Sequence, residues 1–173
     1  MVKLASDIEK KHGGIDILVN NASIAFEFNE EPSKEPFAYQ AKETIHTNYF
    51  GTKMACKHLF PLLRSGARVV NMSSDSGFLA MIPGETLRNK LKRTDLSIEE
   101  LDSIMNDFVD SAQAGKHEEN GTFVSIIYVL PVGIKLRKSN ARDNELHHEN
   151  VYVKSSSQLR GEHCCSLGCG FAR

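Results

Sequence analysis

The chain has 173 residues, is 40% hydrophobic, and sets 21 Lys and Arg against 22 Asp and Glu for a formal net charge of -1. That size suits one domain with enough apolar material for a core, and the balanced charge gives no field to concentrate it on nucleic acid or an anionic membrane. No apolar run approaches the roughly 20 residues that span a bilayer, and the N-terminus lacks a signal-peptide core, so a cytoplasmic protein without nucleic-acid or membrane partners is expected.

Leu4, Ala5 and Ile8 recur at helical spacing among charged residues, and His12-Gly13-Gly14 supplies a stop. Asp16-Ile17-Leu18-Val19-Asn20-Asn21-Ala22-Ser23 follows at once. Its β-favouring run, Ile15–Asn20, closed by two amides and two small residues, predicts a fully buried parallel strand whose C-terminal end emerges at a polar crevice. In open α/β sheets that end is where ligands bind. A helix that feeds directly into such a strand is what remains of a βαβ unit without its first strand, so an incomplete sheet, truncated at the N-terminus, is expected.

Pro32, Pro36 and several acidic residues mark a loop. Ala41, Ile45, Asn48/Tyr49, Thr52, Ala55/Cys56, Leu59 and Leu62/Leu63 then repeat at three and four, which predicts a helix of about six turns ending near Ser65-Gly66. Arg68-Val69-Val70-Asn71-Met72 is a second buried strand that stops at Ser73-Ser74. Strand, helix, strand is by default a right-handed crossover, so Asn20/Asn21 and Ser73/Ser74 should lie side by side on one sheet edge. Asn48, polar on a core-facing stripe, joins them as a candidate site residue.

A short helical piece is predicted around Leu87–Arg93, and Ser97-Ile98-Glu99-Glu100 is a capping box opening an amphipathic helix through Leu101, Ile104/Met105, Phe108/Val109 and Ala112, with Gly115 as its stop. Thr122–Val132 is β-branched and aromatic, compatible with a strand. From Lys135 apolar residues become sparse and no period survives, which reads as a poorly ordered tail. His163-Cys164-Cys165 with Cys169 lacks the second paired element of a structural zinc site, so reduced thiols and no metal are expected. The predicted organisation is residues 1–121 as a partial domain, 122–134 as a candidate strand and 135–173 as tail.

Leu18-Val19-Asn20-Asn21-Ala22-Ser23, Thr47-Asn48-Tyr49-Phe50-Gly51-Thr52 and Val69-Val70-Asn71-Met72-Ser73-Ser74 together resemble the short-chain dehydrogenase/reductases. More narrowly, Gly13–Ala22, Ile24-Ala25-Phe26 and the Leu101–Val109 helix within a long insertion resemble the NADPH-dependent carbonyl reductases, over about residues 1–121. The resemblance implies an α/β fold with an incomplete Rossmann-type parallel sheet, flanking helices and a helical insertion. It implies hydride transfer from NADPH to a ketone, aldehyde or quinone carbonyl. Asn20, Asn21, Ala22 and Met72 would line the cofactor, Ser74 would donate to the substrate carbonyl and stabilise the alkoxide, and Asn48 would hold a water of the proton relay. The insertion implies a monomer, because it covers the surface on which relatives assemble.

The sequence departs from the family at three places. Ser23 stands where the family turn has glycine, which adds a Cβ at a point of close approach. The Gly-rich phosphate-binding turn is absent. The Tyr-x-x-x-Lys pair, in which the ammonium lowers the phenol pKa so that the tyrosine can protonate the alkoxide, is missing after Gly121, since Val132 stands four places after Tyr128 and Tyr152 and Lys154 are two apart. Tyr49 and Lys53 have the spacing but lie on the helix of Asn48, where the family carries an aromatic and a variable polar residue, so they are not expected to be catalytic. Three readings follow: a carbonyl reductase-like chain without turnover, a non-catalytic interaction protein using an exposed sheet edge, and a weak NADPH-binding module.

Overall fold

Charged residues surround a narrow apolar stripe in the first helix, α1 (Val2–His12), and it ends where Gly13 turns left-handed at φ 69° while its N–H donates to the Glu9 carbonyl at 3.0 Å. Gly14 next comes so close to Leu62 and Arg64 that a Cβ would meet the Arg64 side chain and the Leu62 carbonyl at 3.0 Å. These two glycines reverse the chain into β1 (Ile15–Asn20). The computed structural model of the chain describes residues 1–26, 33–73, 80, 82, 84–117 and 151–155, with Ser73 and the last five described by backbone alone.

The long helix has the expected extent but three geometries. α2 (Phe37–Thr44) runs into a π-helical segment (Ile45–Gly51), then α3 (Thr52–Leu59) and a single 3-10 turn (Phe60–Leu62). Ala41, Ile45, Asn48, Tyr49, Thr52, Cys56 and Leu59 are buried, which is the stripe read from the sequence. It does not run to Ser65-Gly66. Pro61 has no N–H to continue the ladder, and β2 (Leu63–Ser73) begins two residues later. Ser65-Gly66 instead lies in an irregularity of β2, where the pairing jumps from Ile15↔Leu63 to Ile17↔Arg68 and Gly66 takes φ 77°.

The described sheet has the order β1-β2-β3, all parallel, with β3 (Val151–Ser155) paired to β2 from Val69↔Val151 to Ser73↔Ser155. Those five residues fall within the stretch 135–173 read from composition as a poorly ordered tail; in the structure they add a strand. The candidate strand at 122–134 lies outside the described residues.

α4 (Glu85–Lys92) is short, and α5 (Ile98–Gln113) opens on the expected capping box: Glu100 N–H donates to Ser97 Oγ at 3.0 Å and Ser97 N–H to Glu100 Oε2 at 2.9 Å. α5 packs on α2. The larger apolar cluster forms there, between helices: Ala41, Ile45, Tyr49, Ile82, Ile104, Met105, Phe108 and Ala112. A smaller cluster, Leu63, Ala67 and Val69 with Ile15, Leu18 and Phe60 against it, joins sheet to helix. Among the described residues no helix is long and apolar enough to cross a membrane.

One expectation fails. β1 is parallel but not fully buried, for Ile17 and Val19 are 63% and 53% exposed. Leu18 and Asn20, on the opposite face, turn toward the helices. A central strand of a doubly wound sheet needs a layer on each side, and among the described residues helices line only one.

Candidate active site

Parallel pairing brings the C-terminal ends of β1 and β2 to one edge of the sheet, as expected, but the register differs in detail. Asn20 pairs with Asn71, and Ser73 lies two residues further along β2. Asn20 Nδ2 donates to Asn71 Oδ1 at 2.7 Å and reaches Cys56 Sγ at 3.5 Å. One amide therefore ties β1 to the neighbouring strand and to α3. Its two N–H groups are spent inside the protein. Cys56 is buried against it, and burial pushes the thiol up to about 11.

Asn21, Ala22 and Ser23 continue beyond the strand end and are exposed, while Met72 is half-buried beside them. This turn is open to solvent. It is held by Asn48, which sits in the middle of the π-helical segment. Ile24 N–H donates to Asn48 Oδ1 at 2.9 Å, and Asn48 Nδ2 donates to the Ile24 carbonyl at 3.0 Å. The wider π turn is often found where a helix serves a functional site; here it carries a buried amide facing the loop after β1. Both ends of that amide are satisfied by backbone, so the Asn48 side chain acts as a clasp on the loop. Ser74 lies outside the described residues.

Tyr49, the next residue, points the other way, to α5. Its hydroxyl donates to Asp102 Oδ1 at 2.8 Å, and Lys53 Nζ pairs with the other oxygen of the same carboxylate. Burial, and then the bond to Asp102 with that residue's negative charge, push the phenol well above its ordinary range. A Lys beside a Tyr would serve proton transfer by lowering the phenol; this environment moves it in the opposite direction. Tyr49, Lys53 and Asp102 pin α5 to the long helix.

The described glycines at positive φ, Gly13, Gly14, Gly66 and Gly115, lie at helix ends, in the α1–β1 turn and in the β2 irregularity. None opens a strand-to-helix turn whose N–H groups would face a phosphate. Among the described residues there is also no cluster of three His, Cys, Asp or Glu that would hold a metal.

Sequence reasoning did not single out Asn71 or Asp102. The first needed the β1–β2 register, which Asn71's place in a continuous strand does not reveal. Asp102 had a signal in principle, since it lies one turn from the capping box on a helix that must pack somewhere, but its partner was set by tertiary contact 49 residues away.

The short chain dehydrogenase family matches residues 1–85 of this chain. Carbonyl reductase (NADPH) 1 of Mus musculus is 40% identical over 126 residues, covering 72% of this chain and 44% of that protein. The enzyme of the same name from Sus scrofa is 37% identical over 153 residues, covering 83% of this chain and 52% of the relative. The chain thus spans about half the length of the relatives it matches. The Sus scrofa match also runs past residue 121, where the motif-level resemblance stops. Among solved structures, salutaridine reductase from Papaver somniferum superposes with a TM-score of 0.64 at 27% identity over 75% of this chain and 55% of that one. Menthone neomenthol reductase from Mentha piperita gives 0.62 at 25% identity over 74% and 56%.

Proposed function

The chain belongs to the short-chain dehydrogenase/reductase family through residues 1–85, and from that premise we propose that it is a carbonyl reductase-like chain that keeps the strand-end scaffold of the site without performing the reaction. The lineage's chemistry is hydride transfer from NADPH to the carbonyl of a small ketone, aldehyde or quinone. In this reading residues 1–121 form a partial Rossmann domain in a cytoplasmic protein. Asn20, Asn21, Ala22 and Met72 are the remnant of the cofactor wall, and Ser74 and Asn48 are the remnant of the catalytic set.

The observation that carries the proposal is the environment of Tyr49 and Lys53. Of the four tyrosines, only Tyr49 has a lysine four residues on. Its hydroxyl and that lysine are both spent on Asp102, and the phenol is raised rather than lowered. Among the side chains described at the C-terminal ends of β1 and β2, Asn20, Asn71 and Met72, none is an acid or a base. Titration of the chain with NADPH in a calorimeter tests it: no specific heat is expected, and a saturable isotherm would overturn it.

A second reading, non-catalytic association through the sheet edge, is favoured by one observation. Ile17 and Val19 stand exposed on β1, which has no neighbour on its outer side among the described residues.

A further inference from the structure

We propose that the π-helical segment Ile45–Gly51 is the link through which α5 fixes the turn that follows β1. Asp102 is then a positioning residue for Asn21–Ile24, acting through Tyr49 and Asn48. The inference goes beyond the reading of activity above and holds whether or not the chain takes NADPH.

Two anchors leave the segment from adjacent residues. Asn48 exchanges an acceptor and a donor with the Ile24 backbone, at 2.9 Å and 3.0 Å. Tyr49 donates its hydroxyl to Asp102 Oδ1 at 2.8 Å, and Lys53 pairs with Oδ2 of the same carboxylate. Consecutive residues of a helix point in different directions, about 100° apart at 3.6 residues per turn, so neither anchor can stand in for the other. Residues four apart share a side, which lets one carboxylate hold Tyr49 and Lys53 across the junction between the π segment and α3. Asn48 and Tyr49 are joined by a single planar peptide unit. A rotation that carries the phenol away from Asp102 therefore swings the amide away from Ile24.

The segment does not hold this geometry by its backbone alone. π turns are rare beside α-helix, and α2 and α3 on either side are ordinary α-helix. Hydrogen bonding tightens again at both junctions: Ile45 N–H is shared between the Ala41 and Lys42 carbonyls, and Thr52 N–H reaches the Tyr49 carbonyl three residues back. At the first junction Thr44 is fully buried and its Oγ1 has no hydrogen-bond partner among the described residues. A helical threonine hydroxyl ordinarily bonds a carbonyl three or four residues back, so this orphan is a cost that contacts elsewhere must offset. The α-helix is the competing arrangement, and the bonds to Ile24 and Asp102 both favour the π form. An element with two arrangements, biased from two sites, couples those sites in both directions. The loop after β1 has one more contact with the long helix, Phe26 edge-on to Tyr39 at 6.0 Å between ring centroids. Tyr39 lies in α2, ahead of the segment, so that contact bypasses the π turn.

Amide hydrogen exchange resolved by NMR on the 173-residue chain tests the link, with far-ultraviolet circular dichroism to confirm that each variant folds. Asp102→Ala removes the carboxylate, and Tyr49→Phe removes only the hydroxyl while keeping the packed ring, so the second carries the test alone if the first unfolds. Each should speed exchange of the Ile24 N–H about tenfold. Leu63→Ala is the control: it opens the smaller apolar cluster at the opposite end of the sheet, where Leu63 pairs with Ile15, and should leave Ile24 unchanged. The effect of Tyr49→Phe should also persist in a Tyr39→Ala background. Ile24 exchange that is the same in the folded variants as in the unsubstituted chain overturns the link. So does an equal rise in Leu63→Ala, which would report general loss of stability, and so does an effect that vanishes with Tyr39, which would route it through the Phe26 contact.

Discussion

The Asn48 carboxamide and the Ile24 backbone form a closed pair of hydrogen bonds, 2.9 Å and 3.0 Å, across 24 residues of chain. A π-helical turn thereby holds the segment that follows the Asn20-Asn21 strand end. The side chain that family resemblance assigns to a proton relay is, in this structure, already satisfied.

Asn48→Ala should therefore destabilise the fold by about 1–3 kcal/mol, since it removes both partners of the Ile24 backbone from a largely buried position. Urea denaturation measures it. A change below about 0.5 kcal/mol would mean that water replaces the clasp at no cost.

The Asn20–Asn71 bond at 2.7 Å is the polar link between β1 and β2 at the site edge. A double-mutant cycle with Asn20→Ala and Asn71→Ala should give a coupling of about 0.5–1.5 kcal/mol. Strictly additive losses would show that the two amides do not interact in solution.

Tyr49 should make stability fall in alkaline solution. Its folded pKa is raised above the ordinary 10.0, by burial first and by Asp102 second. The unfolded chain then releases this proton from about pH 10 upward while the folded chain retains it, so the contribution is complete below that pH and is lost as pH rises through the window above it. Stability measured from pH 8 to 11 should decline, and Tyr49→Phe should flatten the decline. An unchanged slope in the variant would place the phenol in a different environment.

Cys56 should be protected in the native chain. With its thiol lifted from 9.0 to about 11, the thiolate fraction at pH 8 falls about a hundredfold, and burial adds steric exclusion. Iodoacetamide labelling mapped by mass spectrometry should leave Cys56 unmodified until denaturant is added. Rapid native labelling would show that the contact between α3 and β1 opens.

Local signals in the sequence carried much of this fold. Gly13-Gly14 marked the end of α1, Ser97 and Glu100 marked the start of α5, and the apolar stripe from Ala41 to Leu59 identified the buried face of the long helix. These features depend on neighbours within a turn or two. What stayed hidden depends on distant partners. The burial of Ile17 and Val19 is decided by whether a second layer covers β1, the pairing of Asn20 with Asn71 by a register that a slip of one residue would undo, and the fate of Tyr49 and Lys53 by a carboxylate on α5. The end of the long helix was legible in Pro61, whose missing N–H outweighed the later Ser65-Gly66 turn.

The central claim is that the site scaffold persists without its proton-transfer chemistry, and NADPH oxidation in the presence of menadione tests it most directly. The purified 173-residue chain is predicted to give a rate indistinguishable from the protein-free blank. Turnover that persists through purification and disappears in Ser74→Ala would contradict the account.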